Sequence, residues 1–192
     1  MQDSTSIFSI VVSLLMACTA YAGPNITGLA NTCNNCHGTG GVSVGESMPS
    51  IAGLPEGYLK NIMLEWKAGK RPSASMTRLI SGLTDEEIAA LAMHYSKLPW
   101  TPVKQKTDPK LVKLGKKVTE KCAGCHGDTG KSEDADTPSL HGQWSQYLQL
   151  EALKYRDDAF NMPNKQMVKA AKKLSDEEIK AVAEFYASQK NK

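Results

Sequence analysis

The sequence predicts an all-α protein made of one small helical unit written twice. Three observations carry that reading. The hexapeptides CNNCHG at 33–38 and CAGCHG at 122–127 stand 89 residues apart. LTDEEI at 83–88 is answered by LSDEEI at 174–179. No stretch alternates apolar and polar residues as a half-buried strand would. Self-similarity on this scale marks duplication of a whole folded unit.

The register between the copies supports duplication residue by residue. His37 precedes Pro49 by 12 residues and His126 precedes Pro138 by 12. Tyr58 and Tyr147 follow those prolines by nine. The offset then grows from 89 to 91 between Tyr58 and Met76, so the second copy holds a two-residue insertion. The division expected is an export signal over 1–22, a first domain over 23–98, a linker over 99–108 and a second domain over 109–192.

Residues 7–17, IFSIVVSLLMA, are apolar but too short to span a bilayer, and Ala20-Tyr21-Ala22 supplies a small-x-small cleavage site. The segment ahead of them, MQDSTS, lacks the usual Lys or Arg. Leu15-Met16-Ala17-Cys18 offers a second reading, a lipobox with Cys18 acylated. Either way the mature chain leaves the cytoplasm for the periplasm and keeps no transmembrane span.

Within each copy a short helix is expected around Leu59–Trp66 and Leu148–Tyr155. A C-terminal helix is expected behind the capping boxes Thr84/Glu87 and Ser175/Glu178, where hydroxyl and carboxylate satisfy amides that the first turn leaves unpaired. Its apolar faces are Ile88, Leu91, Ala92, Tyr95 and Ile179, Val182, Ala183, Tyr186. Pro99 and Pro102 break the chain between the copies. Asp108 as cap, with Pro109 at the first helical position, opens a helix running through Lys121.

Composition narrows function. Aromatics are 6% of the chain against 41% hydrophobic residues, thin for two small domains that must each close a core. Residues 23–98 carry six basic and six acidic side chains, whereas 99–192 carry seventeen and thirteen. The lysines are interleaved with Asp and Glu, the pattern of a solvated surface and not of a nucleic-acid stripe.

Cys-x-x-Cys-His in an exported chain suits covalent haem: both thiols add to vinyl groups and the His supplies a nitrogen to iron. Cys33, Cys36 and His37 form the first set, and Cys122, Cys125 and His126 the second. Zinc would need further Cys or His ligands, for which only His94 and His141 remain, and these read as packing or surface residues. A thioredoxin-type CxxC would be followed by a long helix, whereas Gly38 and Gly127 follow here. Two bound haems also account for the scarcity of aromatics. Met is the usual second ligand in electron carriers. Met76 and Met167 each lie seven residues before the Leu of the capping-box motif, although Met162 shares the second loop. Met48, Met63 and Met93 have no methionine at the matched position and read as packing. Pro49 and Pro138 are candidates to accept from the free nitrogen of each ligating His, or simple turn prolines.

In the order of these motifs the chain resembles the di-haem cytochromes c of the cytochrome c4 group. HGQWSQYLQ at 141–149, WTPVKQ at 100–105 and FYASQ at 185–189 are most similar to the cytochrome subunits of flavocytochrome c sulfide dehydrogenases. The resemblance implies two tandem class I cytochrome c domains related by a pseudo-twofold axis. It also implies two covalently bound haem c groups, held by the cysteines and histidines above, with Met76 and Met167 as axial ligands. The loop at 159–167 departs from it, lacking the Gly-x-Arg of Gly69-Lys70-Arg71.

The expected function is electron transfer without a catalytic residue. Electrons would come from an FAD-containing sulfide dehydrogenase flavoprotein and leave to a small soluble acceptor such as a mono-haem cytochrome c. Two one-electron centres would drain a two-electron flavin without waiting. The alternative is a free-standing cytochrome c4 serving a terminal oxidase. A catalytic haem would need an open sixth position, which the matched methionines oppose.

Overall fold

The computed structural model describes residues 24–158 and 161–190. The predicted export signal and Cys18 lie outside these residues. No helix among them is long and apolar enough to cross a membrane.

All regular structure described is helical. The first copy holds α1 (Ile26–His37), α2 (Glu56–Lys67), α3 (Met76–Ile80) and α4 (Asp85–Ser96). The second holds α5 (Pro109–Val118), α6 (Ala123–His126), α7 (Ser145–Asp157), α8 (Lys165–Ala171) and α9 (Asp176–Ser188). Residues 99–108 between them carry no helix. Both predicted capping boxes form, Thr84 with Glu87 and Ser175 with Glu178, and Asp108 caps α5 with Pro109 in its first turn.

One boundary differs from expectation. The helix from Pro109 was expected to run through Lys121, but it stops at Val118 and a 3-10 turn covers Thr119–Lys121. The Thr119 hydroxyl donates back to the carbonyls of Gly115 (2.9 Å) and Lys116 (3.2 Å). Local bonding of this kind competes with the helical ladder and tightens its last turn.

The C-terminal helices anchor both cores. On α4, Ile88, Leu91, Ala92 and Tyr95 are all buried, the face read from periodicity. Each large side chain so buried contributes about 1.5–3 kcal/mol. On α9 Ile179, Ala183 and Tyr186 of the expected face are buried and Val182 only half-buried, while burial extends to Ala181, Phe185 and Ala187. The cause is α5, which crosses α9 at Gly115: a Cβ there would overlap the Ala181 carbonyl oxygen. Glycine thus lets the two helix backbones meet.

The halves meet through polar contacts. The Arg71 guanidinium, with its side chain 7% exposed, donates to the Tyr155 hydroxyl at 2.9 Å and to Glu151 at 3.3 Å, and lies 3.5 Å from Glu65 of its own half. Asn61 donates to Asp136 at 2.9 Å. The Tyr58 amide donates to the Ala135 carbonyl at 2.9 Å, an approach that leaves no room for a Cβ at Gly57. Gln143, 2% exposed, brackets Ser50 of the first half, and the Trp144 indole donates to the Ser43 carbonyl at 3.3 Å.

Two outcomes follow for the purified full chain. Gly115→Val overpacks the α5–α9 crossing and is expected to remove about 1–3 kcal/mol of stability, read as a lower urea midpoint. Arg71→Met, which copies the Met162 found at the matched position, takes the guanidinium donor from Tyr155 and leaves Glu151 with Lys154 alone. It is expected to cost about 1–3 kcal/mol, read as a lower melting temperature.

Candidate haem-binding sites

Each Cys-x-x-Cys-His run ends a helix, and the glycine behind it turns the chain back. α1 stops at His37 and Gly38 takes φ 79°; α6 stops at His126 and Gly127 takes φ 73°. A Cβ on either glycine would overlap a carbonyl oxygen, that of Val42 or that of Lys131. Cys33 and Cys36 lie one helical turn apart on α1, on neighbouring surface positions. Cys122 and Cys125 keep the same separation at the start of α6. The first cysteine of each pair is half-buried and the second exposed, and all four are free thiols. Burial pushes the Cys33 and Cys122 thiols up.

Both histidines are buried. His37 Nδ1 lies 2.9 Å from the Pro49 carbonyl oxygen, and His126 Nδ1 lies 3.2 Å from that of Pro138. The spacing of 12 residues therefore marks real partners and not turn prolines alone. A carbonyl only accepts, so Nδ1 is the donor in each pair and the Nε2 lone pair is left to bind a metal. Burial pulls both imidazoles below the usual histidine range, with the proline carbonyls opposing it. The rings are held in the neutral form a ligand needs.

The methionines divide. Met76 opens α3, its amide donating to the Ser73 hydroxyl three residues back at 2.9 Å. Met167 sits in the first turn of α8, its amide donating to the Asn164 carboxamide, also three residues back, at 3.0 Å. Both are half-buried. Met162, by contrast, is fully buried and stands where the first copy has Arg71. Its amide is held by Asp158 at 2.7 Å, in a loop where Asp158 and Asn161 adopt positive φ. Met63 packs in the first core. His94 packs edge-on against Tyr95 at 5.0 Å, and His141 packs against Trp100 at 5.2 Å.

This donor set fits haem. Two unbridged thiols beside one neutral imidazole with a free Nε2 occur twice, and no cluster of three His, Cys, Asp or Glu side chains among the described residues would hold a bare metal ion. The buried Trp66 indole N–H has no partner among the described residues. A haem carboxylate is the kind of acceptor it lacks. Sequence reasoning missed two residues at the boundary between the sites, Arg71 and Gln143. The first was visible only as a basic loop residue and the second only within the HGQW motif.

The cytochrome c family model matches residues 112–190. Cytochrome c4 of Azotobacter vinelandii is 30% identical over 179 residues, covering 82% of this chain and 84% of that protein. A thiosulfate dehydrogenase electron acceptor of Stutzerimonas stutzeri is 29% identical over 83% of this chain and 79% of its own length. The cytochrome subunit of sulfide dehydrogenase of Chlorobaculum tepidum is 37% identical over only 70 residues, 36% of this chain and 63% of that subunit. The structure of reduced cytochrome c4 from Pseudomonas stutzeri superposes with a TM-score of 0.76 at 27% identity, over 88% of this chain and all of that one. The chain belongs to the cytochrome c4-type di-haem cytochromes c, electron-transfer proteins with two covalently bound haem c groups.

Proposed function

We propose that Cys33, Cys36, Cys122 and Cys125 form the thioether anchors, and that His37 with Met76 and His126 with Met167 are the axial ligands. In this reading the chain is the periplasmic cytochrome partner of an FAD-containing, sulfide-oxidising flavoprotein and passes electrons to a small soluble acceptor such as a mono-haem cytochrome c. The first unit spans 23–98 and the second 109–192, joined by the linker at 99–108. The carrying observation is the matched pair of carbonyl-anchored, neutral imidazoles, each accompanied by a methionine capped three residues back.

Bound haem supplies a one-electron couple at each site. The chain's residues set its terms. Pro49 and Pro138 keep the Nδ1 protons in place, so each imidazole presents Nε2 and a fixed ring orientation. Ser73 and Asn164 fix the backbone from which each thioether reaches. Met162 is fully buried and stands at the position of Arg71 rather than that of Met76, which supports Met167 as the second ligand.

The exit side is basic. Lys165, Lys169, Lys172 and Lys173 are exposed on or just beyond α8, whereas the matched helix α3 bears only Arg78. That contrast supports an acidic acceptor meeting the second unit. A second reading, the electron acceptor of a thiosulfate dehydrogenase, is supported by the relative of that name, which matches over far more of the chain than the sulfide dehydrogenase subunit does.

The ligand assignment is tested by the weak methionine-to-iron band of the oxidised protein. Met76→Leu and Met167→Leu are each expected to remove half of it, and Met162→Leu to leave it intact; loss of half in the Met162 variant would reverse the second assignment. The donor is tested by anaerobic reduction, with sulfide and its flavoprotein in one arm and thiosulfate and its dehydrogenase in the other. Faster reduction in the thiosulfate arm would displace the sulfide reading.

A further inference from the structure

The two halves are matched in sequence but not at their shared boundary. Gln143 reaches across from the second half and grips Ser50 twice. Its Oε1 accepts from the Ser50 amide at 3.0 Å and its Nε2 donates to the Ser50 carbonyl at 2.9 Å. Oε1 also accepts from the Trp144 amide at 3.1 Å, and Gln105 of the linker donates to the Gln143 carbonyl at 2.8 Å. Ser50 is 1% exposed. The Ser50 amide and the Pro49 carbonyl belong to one peptide group, and that carbonyl holds His37 Nδ1 at 2.9 Å. A continuous chain of hydrogen bonds therefore runs from Gln143 through a single buried peptide to the first histidine.

The pseudo-symmetric place is built differently. Where the second half has Gln143 and Trp144, the first has Leu54 and Pro55, whose side chains neither donate nor accept. There the halves leave an open cavity of about 550 Å³, lined by Leu54, Pro55, Ser132 and Ser139. Ser139 follows Pro138 as Ser50 follows Pro49. The second histidine sits 3.2 Å from its carbonyl, longer than the first. An amide that donates makes its own carbonyl a better acceptor, and the gain is larger where water is excluded.

We propose that Gln143 is a positioning residue for the first site. By polarising the Pro49–Ser50 peptide it strengthens the His37 Nδ1 hydrogen bond and makes that imidazole the stronger donor to iron. A more basic ligand favours the oxidised metal. The first centre is thereby set to a lower reduction potential than the second, and electrons entering the first unit run downhill to the basic second one. This inference rests on His37 and His126 being the axial ligands.

The test is a redox titration of the haem-loaded chain followed by proton NMR, each centre identified through its histidine ring. Gln143→Leu, which installs the residue found at position 54, is expected to shift the His37 centre upward, leave the His126 centre in place and speed exchange of the Ser50 amide. Leu54→Gln, the reciprocal change, is expected to shift the His126 centre downward, and it decides the matter if Gln143→Leu fails to fold. Trp144→Phe removes the neighbouring bond to Ser43 without touching the Pro49–Ser50 peptide, and should move neither centre. Equal shifts at both centres, no shift, or a Trp144→Phe effect as large as that of Gln143→Leu would overturn the proposal. A full-strength methionine band and two haems per chain in every variant show that the ligand assignment stands whichever way the potentials fall.

Discussion

Both halves turn on one bond, an imidazole Nδ1–H held by a proline carbonyl twelve residues further along the chain. Because a carbonyl only accepts, this bond fixes the tautomer. Because it closes a loop directly behind the Cys-x-x-Cys-His run, the chain must reverse at the next residue. That reversal needs positive φ and a position without a Cβ, hence Gly38 and Gly127. Burial then keeps the ring neutral, since a protonated imidazole has no lone pair to give a metal. Tautomer, turn and protonation state are three aspects of a single closure.

The same closure connects the two halves. In the first copy the loop ends at Ser50, and Ser50 is the residue that the second half grips through Gln143. Further polar contacts join the halves: Arg71 between Glu65, Glu151 and Tyr155, Asn61 on Asp136, the Tyr58 amide on Ala135. Buried polar contacts add little net stability compared with apolar packing, but each is satisfied in one relative placement only. A boundary of this kind holds two domains in register. An apolar one of equal area would tolerate sliding.

What the sequence revealed and what it hid divide by range. The capping boxes at Thr84 and Ser175, the cap at Asp108 and the buried face of α4 were legible because residues within a turn or two decide them. The histidine partners Pro49 and Pro138 lie further off, yet the repeat exposed them by showing one spacing twice. The 3-10 turn at Thr119 escaped, because a hydroxyl that bonds its own helix leaves no periodic trace. So did the wider burial of α9, which exists only because α5 crosses it at Gly115. Arg71 and Gln143 were hidden for a stronger reason: their partners sit in the other copy, and neither residue repeats. Recurrence marks the positions that the copies share and leaves unmarked those where they differ.

Those positions are where a duplicated chain can do what a symmetric dimer of one unit cannot. In a homodimer the residues at 54 and 143 would be identical, both proline–serine peptides would meet the same neighbour, and the two centres would have equal environments. Fusing the copies through residues 99–108 frees the matched positions to diverge. Leucine and proline on one side of the pseudo-axis offer no side-chain hydrogen bond, while glutamine and tryptophan on the other bond across to Ser50 and Ser43. Arg71 likewise bonds to the second half, whereas its counterpart Met162 is a fully buried apolar side chain. Two sites with one ligand set can then differ in the shell around the ligands, which is where a protein tunes a metal without changing what binds it.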